Sequence, residues 1–225
     1  MHIILLGLPG AGKGTYAKML SRDYEMVHLS SGNLFKNEIR KNTSLGRNVR
    51  DFVSSGKLVP DNITIEFMQE KITELKNEKI IFDGFPRTID QAQDLSGIIY
   101  KIENNINLCI YIDVKEEILI KRLSGRRICI VDGSIYHLEF SPPKIEGKCD
   151  ECGSPLYQRE DDKPEVIKKR IQDNREKTMR LVDYYNNNEQ ILQTVNGSNR
   201  EINDIYSDIT NLYKEEIGNI QHEVL

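Results

Sequence analysis

Five short runs of apolar residues, each ended by a glycine or a polar residue, recur along the chain. They occupy residues 2–6, 26–29, 79–83, 107–114 and 191–195. Runs that are apolar at consecutive positions, rather than at every second position, are typical of strands buried on both faces. The pattern therefore predicts five strands of a parallel sheet.

Between these runs the apolar residues recur at helical spacing. This spacing predicts helices over residues 16–20, 34–39, 61–75, 116–123, 164–186 and 202–217, with fraying after Gly218. Ser30–Asn33 can cap the second helix, and Asp61 is expected to cap the third. Strands that alternate with helices predict an α/β fold in which helices cover both faces of a parallel sheet.

Residues 125–158 depart from this alternation. They contain three cysteines, two adjacent prolines and short β-like runs such as Ser134–Leu138. Such a composition predicts a small β-rich lobe inserted into the α/β fold.

Composition and charge narrow the classes of protein that fit. Hydrophobic residues make up 38% of the 225 positions and charged residues 29%, with a net charge of -4. Such a chain can bury a core as one domain with a small insertion, and the acidic balance argues against nucleic acid as a partner. No apolar run approaches the roughly 20 residues that span a membrane, and no signal peptide precedes Gly7. We therefore expect a cytoplasmic protein, or one that is mature in an organelle.

The segment Gly7–Thr15 stands between the first strand and the first helix. Its sequence, Gly-Leu-Pro-Gly-Ala-Gly-Lys-Gly-Thr, has the glycines and the lysine of a phosphate-binding loop. Backbone N–H groups of such a loop and the helix N-terminus attract phosphate oxygens, and Lys13 can reach the outer phosphates. Gly14 separates Lys13 from Thr15, so direct binding of a metal ion by the Thr15 hydroxyl does not follow from the pattern.

A second cluster of polar residues follows the third strand. Asp83 ends that strand and Arg87 lies four residues later, in the segment Asp-Gly-Phe-Pro-Arg-Thr. The carboxyl ends of parallel strands share one edge of a sheet, so Asp83 is expected beside the phosphate loop. Asp83 can bind Mg²⁺ through water, and Arg87 can bind a phosphate with two hydrogen bonds. The alternative is that Asp83 caps the next turn and Arg87 is a surface charge.

Further arginines could neutralise the charge of a transferred phosphoryl group, although spacing alone does not show that they converge. They are Arg122, Arg126, Arg127, Arg159 and Arg170.

The inserted lobe carries two pairs of metal-binding residues, each with two intervening residues. The first pair is Cys129 and Asp132, and the second is Cys149 and Cys152. Four such ligands predict a structural tetrahedral Zn²⁺ site, although free thiols or a Cys149–Cys152 disulfide remain alternatives. His137 is a less well spaced ligand. Outside the lobe, Cys109 is expected in the core, and His2, His28 and His222 carry no functional signal.

Taken together, these motifs resemble the adenylate kinases, in particular the bacterial type with a long lid. The resemblance rests on Gly7–Thr15, Ser31-Gly32, Gly56–Val59, Asp83–Arg87 with Gln91, Gly125–Arg127 and Arg159–Asp162, and it covers about Ile3 to Leu212. It implies the P-loop nucleoside monophosphate kinase fold, with a core over 1–29, 60–124 and 163–225. It also implies an AMP-binding arm over 30–59 and a zinc-stapled lid over 125–162.

The same resemblance implies reversible, Mg²⁺-dependent phosphoryl transfer in which ATP and AMP give two ADP. It assigns catalysis to Lys13, Asp83, Arg87, Arg126, Arg159 and Arg170. It assigns ATP binding to Gly10, Ala11, Gly12, Lys13, Gly14, Thr15, Arg126, Ile135, Tyr136 and Asn199. It assigns AMP binding to Ser31, Lys36, Lys57, Leu58, Val59, Gly84, Phe85, Pro86, Arg87, Gln91, Arg159 and Arg170, with Gln91 reading the adenine. Zn²⁺ would bind Cys129, Asp132, Cys149 and Cys152.

Two positions depart from the family pattern. Family members usually carry arginine where this chain has Lys36 and aspartate where it has Asn33, and lysine lacks the two-pronged geometry of arginine. We expect Lys36 to contact the AMP phosphate nevertheless. We also expect a monomer that binds neither nucleic acid nor membrane. The competing functions are a kinase for another monophosphate, a GTPase-like switch without its guanine-reading motif, and a zinc-ribbon nucleic-acid binder.

Overall fold

A five-stranded parallel sheet forms the centre of the computed structural model, which describes residues 1–223. Its strands are β1 (His2–Leu6), β2 (Val27–Ser30), β3 (Ile80–Asp83), β4 (Ile106–Asp113) and β8 (Leu192–Asn196). They lie in the order β2-β3-β1-β4-β8, and all neighbouring pairs are parallel. Asp83 pairs with Leu5 on one side and with Ser30 on the other. Three strands therefore deliver their carboxyl ends to the same part of the sheet edge.

Eight α-helices accompany the strands in the described residues. They are α1 (Lys13–Tyr24), α2 (Ser31–Arg40), α3 (Ser44–Ser54), α4 (Asp61–Glu74), α5 (Ile89–Lys101), α6 (Glu116–Ser124), α7 (Pro164–Asn187) and α8 (Ile202–Glu223). None of them combines the length and the hydropathy needed to cross a membrane.

Alternate residues of β1 point into two separate cores. Ile3 and Leu5 pack in one core with apolar residues of α1, α6 and α8, whereas Ile4 and Leu6 pack in the other with residues of α4, α5 and α7. Burial on both faces explains why the strand is apolar at consecutive positions. The predicted fold class is thereby confirmed.

Two smaller units extend from this core. Helices α2 and α3 form one of them, around Phe35 and Val49. The other holds β5 (Arg126–Cys129), β6 (Ile135–His137) and β7 (Leu156–Tyr157), an antiparallel sheet in the order β6-β5-β7. The predicted β-rich insertion is present, and a short 3-10 turn (Glu160–Asp162) connects it to α7.

Two predictions about helix ends were wrong. Asp61 does not cap α4, because Pro60 holds the cap position and the Asp61 side chain is bonded to Thr88 and Gln91 instead. The last helix was predicted to end at residue 217, whereas it continues to Glu223. Helices α3 and α5 were not predicted at all.

Candidate active site

The phosphate loop connects β1 to α1. Gly12 stands at the N-terminal cap of α1 with φ of 99°, a conformation that glycine adopts without strain. The ammonium group of Lys13 folds back over the loop and donates to the carbonyl oxygens of Gly7 (2.7 Å) and Leu8 (3.2 Å). Burial lowers the pKa of Lys13 to about 8, and the charge of Asp83 partly opposes this shift. The ammonium group of Lys13 is therefore fixed at the loop, in a buried environment that contains little water.

Asp83 lies between the phosphate loop and β2. Its Oδ2 atom is 3.1 Å from Nε2 of His28, and both side chains are largely buried. Burial alone would raise the pKa of Asp83, but the hydrogen bond from His28 and the charges of Lys13 and Arg87 lower it below its usual value. The carboxylate thus stays ionised inside the cavity.

The guanidinium group of Arg87 lies against Gly84, near Asp83. Its Nε atom donates to the carbonyl oxygen of Gly84 (2.7 Å), and Ser31 donates to that oxygen as well (2.6 Å). A Cβ atom at Gly84 would lie 2.8 Å from Nη2 of Arg87, and its φ of 74° disfavours other residues. Glycine at this position leaves room for the guanidinium beside Asp83.

Three arginines converge around two adjacent carboxylates. Arg126 forms two hydrogen bonds with Asp162 (2.7 and 2.6 Å), and Arg159 forms two with Asp161. Arg170 contacts both carboxylates, at 3.0 Å for Asp162 and 3.1 Å for Asp161. Because Asp162 is fully buried, it fixes the two arginines that it binds.

Lys36 adds a fourth positive charge to this group. Burial, the main cause, and the charge of Arg159, a smaller one, together lower its pKa to about 8, while Asp161 opposes the shift. Two of the five arginines named from the sequence lie apart from the cluster. Arg122 donates to the carbonyl oxygen of Gly197 at another part of the cavity wall, and Arg127 bonds to the carbonyl oxygens of Ser124 and Arg126.

One cavity of about 1420 Å³ joins the phosphate loop, the arginines and the lid. The predicted residues that line it are Gly10, Gly12, Lys13, Gly14, Thr15, Ser31, Lys36, Lys57, Leu58, Val59, Asp83, Gly84, Pro86, Arg87, Gln91, Arg126, Ile135, Tyr136, Arg159, Arg170 and Asn199. Ala11 and Phe85 are buried in the core instead and do not line it. The side chain of Tyr136 is buried in the lid, with its hydroxyl 3.4 Å from Sγ of Cys149. The space is large enough for two nucleotides rather than one drug-sized ligand.

The four predicted metal-binding residues of the lid lie together. The donor atoms of Cys129, Asp132, Cys149 and Cys152 are all within 4.8 Å of one another. Sulfur atoms on one tetrahedral zinc ion lie about 3.8 Å apart, given Zn–S bonds of about 2.3 Å. All four cysteines of the chain are free, so the alternative of a Cys149–Cys152 disulfide is wrong. The cluster fits a single metal ion.

His137 is not one of these ligands. Its Nδ1 atom accepts the backbone N–H groups of Glu139 and Phe140, and its Nε2 atom lies 3.2 Å from the carbonyl oxygen of Lys121. The imidazole therefore stabilises the junction between α6 and the lid through hydrogen bonds.

Sequence reasoning missed several residues of the site. The sequence analysis gives His28 no role, yet it contacts Asp83; a histidine within a short apolar strand was the available signal. Asp161 and Asp162 were given no role of their own in the sequence analysis, which names them only within the Arg159–Asp162 motif. Acidic residues that closely follow an arginine indicate a charge partner. Cys109 is buried in the core as predicted.

The fold and the cavity define a P-loop phosphotransferase in which Lys13 and a cluster of arginines line one cavity. The family model described as "Adenylate kinase" matches residues 5–190. The chain belongs to the adenylate kinase family and is thus a nucleoside monophosphate kinase. A Staphylococcus epidermidis protein named adenylate kinase is 43% identical over 213 residues, which cover 94% of this chain and 98% of that protein. A Staphylococcus aureus protein of the same name is 42% identical over the same shares.

Proposed function

We propose that this chain transfers a phosphoryl group reversibly between ATP and AMP, giving two ADP, and so balances the adenine nucleotides. The observation that carries the proposal is the single cavity in which Lys13 at the phosphate loop faces the cluster of Arg126, Arg159 and Arg170. Family membership supports the same reaction.

The roles of the residues follow from charge and position. The attacking atom is an AMP phosphate oxygen that is already ionised at pH 7, so no general base is needed. Lys13, Arg126, Arg159 and Arg170 neutralise the charge that spreads over the transferred group. Closure of the lid excludes water, which would otherwise accept the phosphoryl group. In the structure Lys18 of α1 already reaches the carbonyl oxygen of Gly133 in the lid, at 3.4 Å.

We propose the same division of the chain between the two nucleotides that the sequence predicts. We assign ATP to the phosphate loop, Arg126, the backbone at Ile135 and Tyr136, and Asn199. We assign AMP to the arm over 30–59, to Gly84–Arg87 through backbone and guanidinium groups, and to Gln91. The core over 1–29, 60–124 and 163–225 would carry both the arm and the lid over 125–162.

Asp83 is the residue that suits Mg²⁺ bound with ATP. Its Oδ2 atom is held by His28, while Oδ1 accepts no hydrogen bond from the residues that the structure describes. A free, ionised carboxylate oxygen beside Lys13 can accept a hydrogen bond from water on the ion. Mg²⁺ would neutralise the phosphates when it is bound.

We further propose that the lid cluster binds one structural Zn²⁺. Four protein ligands leave no open position for catalysis, and three thiolates with one carboxylate suit zinc. We also propose a monomeric, cytoplasmic enzyme that needs no partner other than ATP, AMP and ADP. One chain supplies every residue named for both nucleotides, which supports a monomer.

A coupled assay with ATP and each nucleoside monophosphate tests the proposed reaction. We expect AMP to be the preferred acceptor and hydrolysis of ATP without an acceptor to be slow. Preference for another monophosphate would assign the rival kinase activity, and GTP hydrolysis without an acceptor would favour the switch.

A lysine at position 36 should make AMP use sensitive to alkaline pH. Only the protonated ammonium binds the phosphate, so kcat/KM for AMP should fall as pH rises through about 8, the pKa of Lys36. Lys13 also has a pKa of about 8 and contributes to this fall in every variant, so Lys36→Arg should make the fall shallower without removing it. Lys36→Ala should raise the AMP KM about 10- to 100-fold. pH profiles of kcat/KM for the three proteins measure this. Superimposable profiles with equal AMP affinity would place Lys36 outside the AMP site.

A further inference from the structure

Gln91 is held on both sides of its amide by hydrogen bonds. Its Nε2 atom donates to Oδ1 of Asp61 (2.7 Å), and its Oε1 atom accepts the backbone N–H of Arg87 (2.8 Å). The residue is 2% exposed and lines the nucleotide cavity. An amide nitrogen has a second hydrogen and an amide oxygen a second lone pair. One donor and one acceptor therefore remain for a ligand.

Asp61 determines the orientation of the Gln91 side-chain amide. As a carboxylate it accepts hydrogen bonds and donates none, so the Nε2 end of Gln91 must face it. If the amide were turned over, Oε1 would lie against the carboxylate and Nε2 would meet the N–H of Arg87. Both contacts would then oppose two groups of the same kind. Asp61 is itself fixed by the hydroxyl of Thr88, which donates to Oδ2 at 2.7 Å.

The fixed orientation matters because purine bases differ in their pattern of donors and acceptors. Adenine offers an acceptor at N1 and a donor at the 6-amino group. Hypoxanthine and guanine offer the reverse, a donor at N1 and an acceptor at O6. An amide that can turn over serves either pattern, whereas a fixed amide serves one. Sites built around fixed hydrogen-bonding groups discriminate strongly, because the wrong ligand leaves buried polar groups unpaired.

We propose that Asp61 determines the base specificity of the acceptor site by fixing the orientation of the Gln91 amide. This inference rests on the proposed function, in which Gln91 reads the base of AMP. Asp61 acts through Gln91 and is a positioning residue. The hydrogen-bonding pattern that it imposes favours a 6-aminopurine monophosphate over a 6-oxopurine monophosphate.

The test compares kcat/KM for AMP and IMP, which differ in this donor–acceptor pattern, with ATP as donor. Asp61→Ala is expected to lower kcat/KM for AMP and to reduce the AMP-to-IMP ratio by about tenfold or more, with the KM for ATP unchanged. Asp61→Asn, which can accept or donate, is expected to reduce the ratio less. A KM-against-kcat split and thermal unfolding are recorded for each protein.

Thr88→Val is the comparison variant, because it removes the other hydrogen bond of Asp61 and the cap bond from the backbone N–H of Gln91 (3.2 Å), yet leaves the side-chain amide of Gln91 both of its partners. It should lower the unfolding temperature and reduce the ratio less than Asp61→Ala does. An unchanged AMP-to-IMP ratio in Asp61→Ala, together with a lower unfolding temperature, would overturn the proposal. Asp61 would then only stabilise the contact between α4 and α5. Gln91→Ala tests the proposed role of Gln91 in AMP binding separately from the positioning role of Asp61. If it leaves AMP use intact, the assignment of Gln91 to the AMP site fails as well.

Discussion

Replacement of Lys13 by methionine is expected to reduce kcat by about 10²- to 10³-fold, the usual effect of removing one group that stabilises transition-state charge. Lys13 is the only lysine in the phosphate loop, and its ammonium group is already fixed at the carbonyl oxygens of Gly7 and Leu8. Methionine has nearly the same length and no charge. Steady-state kinetics with ATP and AMP measure the loss.

The same substitution should leave the protein at least as stable as before. Burial lowers the pKa of Lys13, which means that the folded state disfavours its charge. Loss of activity with an unchanged or higher unfolding temperature would separate catalysis from folding. Lys13→Arg is the control that keeps the charge, and it should retain part of the activity. A fall in kcat of less than about threefold for Lys13→Met would contradict the assigned role.

Removal of the lid metal is expected to unfold the lid while the sheet and its helices remain. The buried apolar residues of the lid are few, namely Cys129, Tyr136 and Cys149 with Leu156 packed beside them. Two of these belong to the proposed zinc cluster. A lobe with so small a core would depend on a bound metal, and structural zinc sites supply about 10–16 kcal/mol in small peptides. Chelation should therefore expose the lid to proteolysis and abolish most of the transferase activity.

Cys149→Ser tests the same dependence without a chelator. Freshly purified protein should contain one zinc per chain, and the variant should bind zinc at least about 100-fold more weakly. Asp150→Asn is the matched control, since Asp150 adjoins Cys149 but its carboxylate accepts the N–H of Lys144 at 2.8 Å. Protein that is fully active, rigid in the lid and free of zinc would exclude a structural metal.

The phosphate loop could be predicted from the sequence because its physics is local. The glycines, Lys13 and the adjacent strand and helix lie within about 20 residues, and no distant contact is needed to form the loop. The position of Asp83 beside the phosphate loop could also be predicted, because the carboxyl ends of parallel strands share one edge of the sheet. The Cys129–Asp132 and Cys149–Cys152 pairs of the lid could be predicted for the same reason, since each pair spans four residues.

Partners that are distant in the chain could not be predicted. Asp162 binds Arg126 across 36 positions and His28 meets Asp83 across 55. The sequence can mark His28 and Asp162 as polar residues that need partners, but spacing along the chain does not show which residues they pair with. Gln91 was expected to read adenine, but its fixation by Asp61 depends on how α4 lies against α5.

Helix α3 was missed because its local propensity is poor. Ser44, Gly46 and Asn48 all fall within its first five residues. Packing forms the helix nevertheless, through Val49 in the core of the arm. Gly46 is required there, because a Cβ atom would clash with the carbonyl oxygen of Glu38 in α2. Tertiary packing thus overrides propensity in the arm.

The paired carboxylates of the arginine cluster bear on how fast the enzyme can release its nucleotides. Asp162 and Asp161 each accept two hydrogen bonds from one arginine, Arg126 and Arg159 respectively, so a phosphate would compete with a carboxylate for the charge of these arginines. Binding would then be in part an exchange of one anion for another, and the net free energy gained would be smaller than the number of arginines suggests. When the phosphate departs, the carboxylate would again neutralise the arginine. We expect this exchange to keep residence times short, which suits an enzyme that must empty both sites in every turnover.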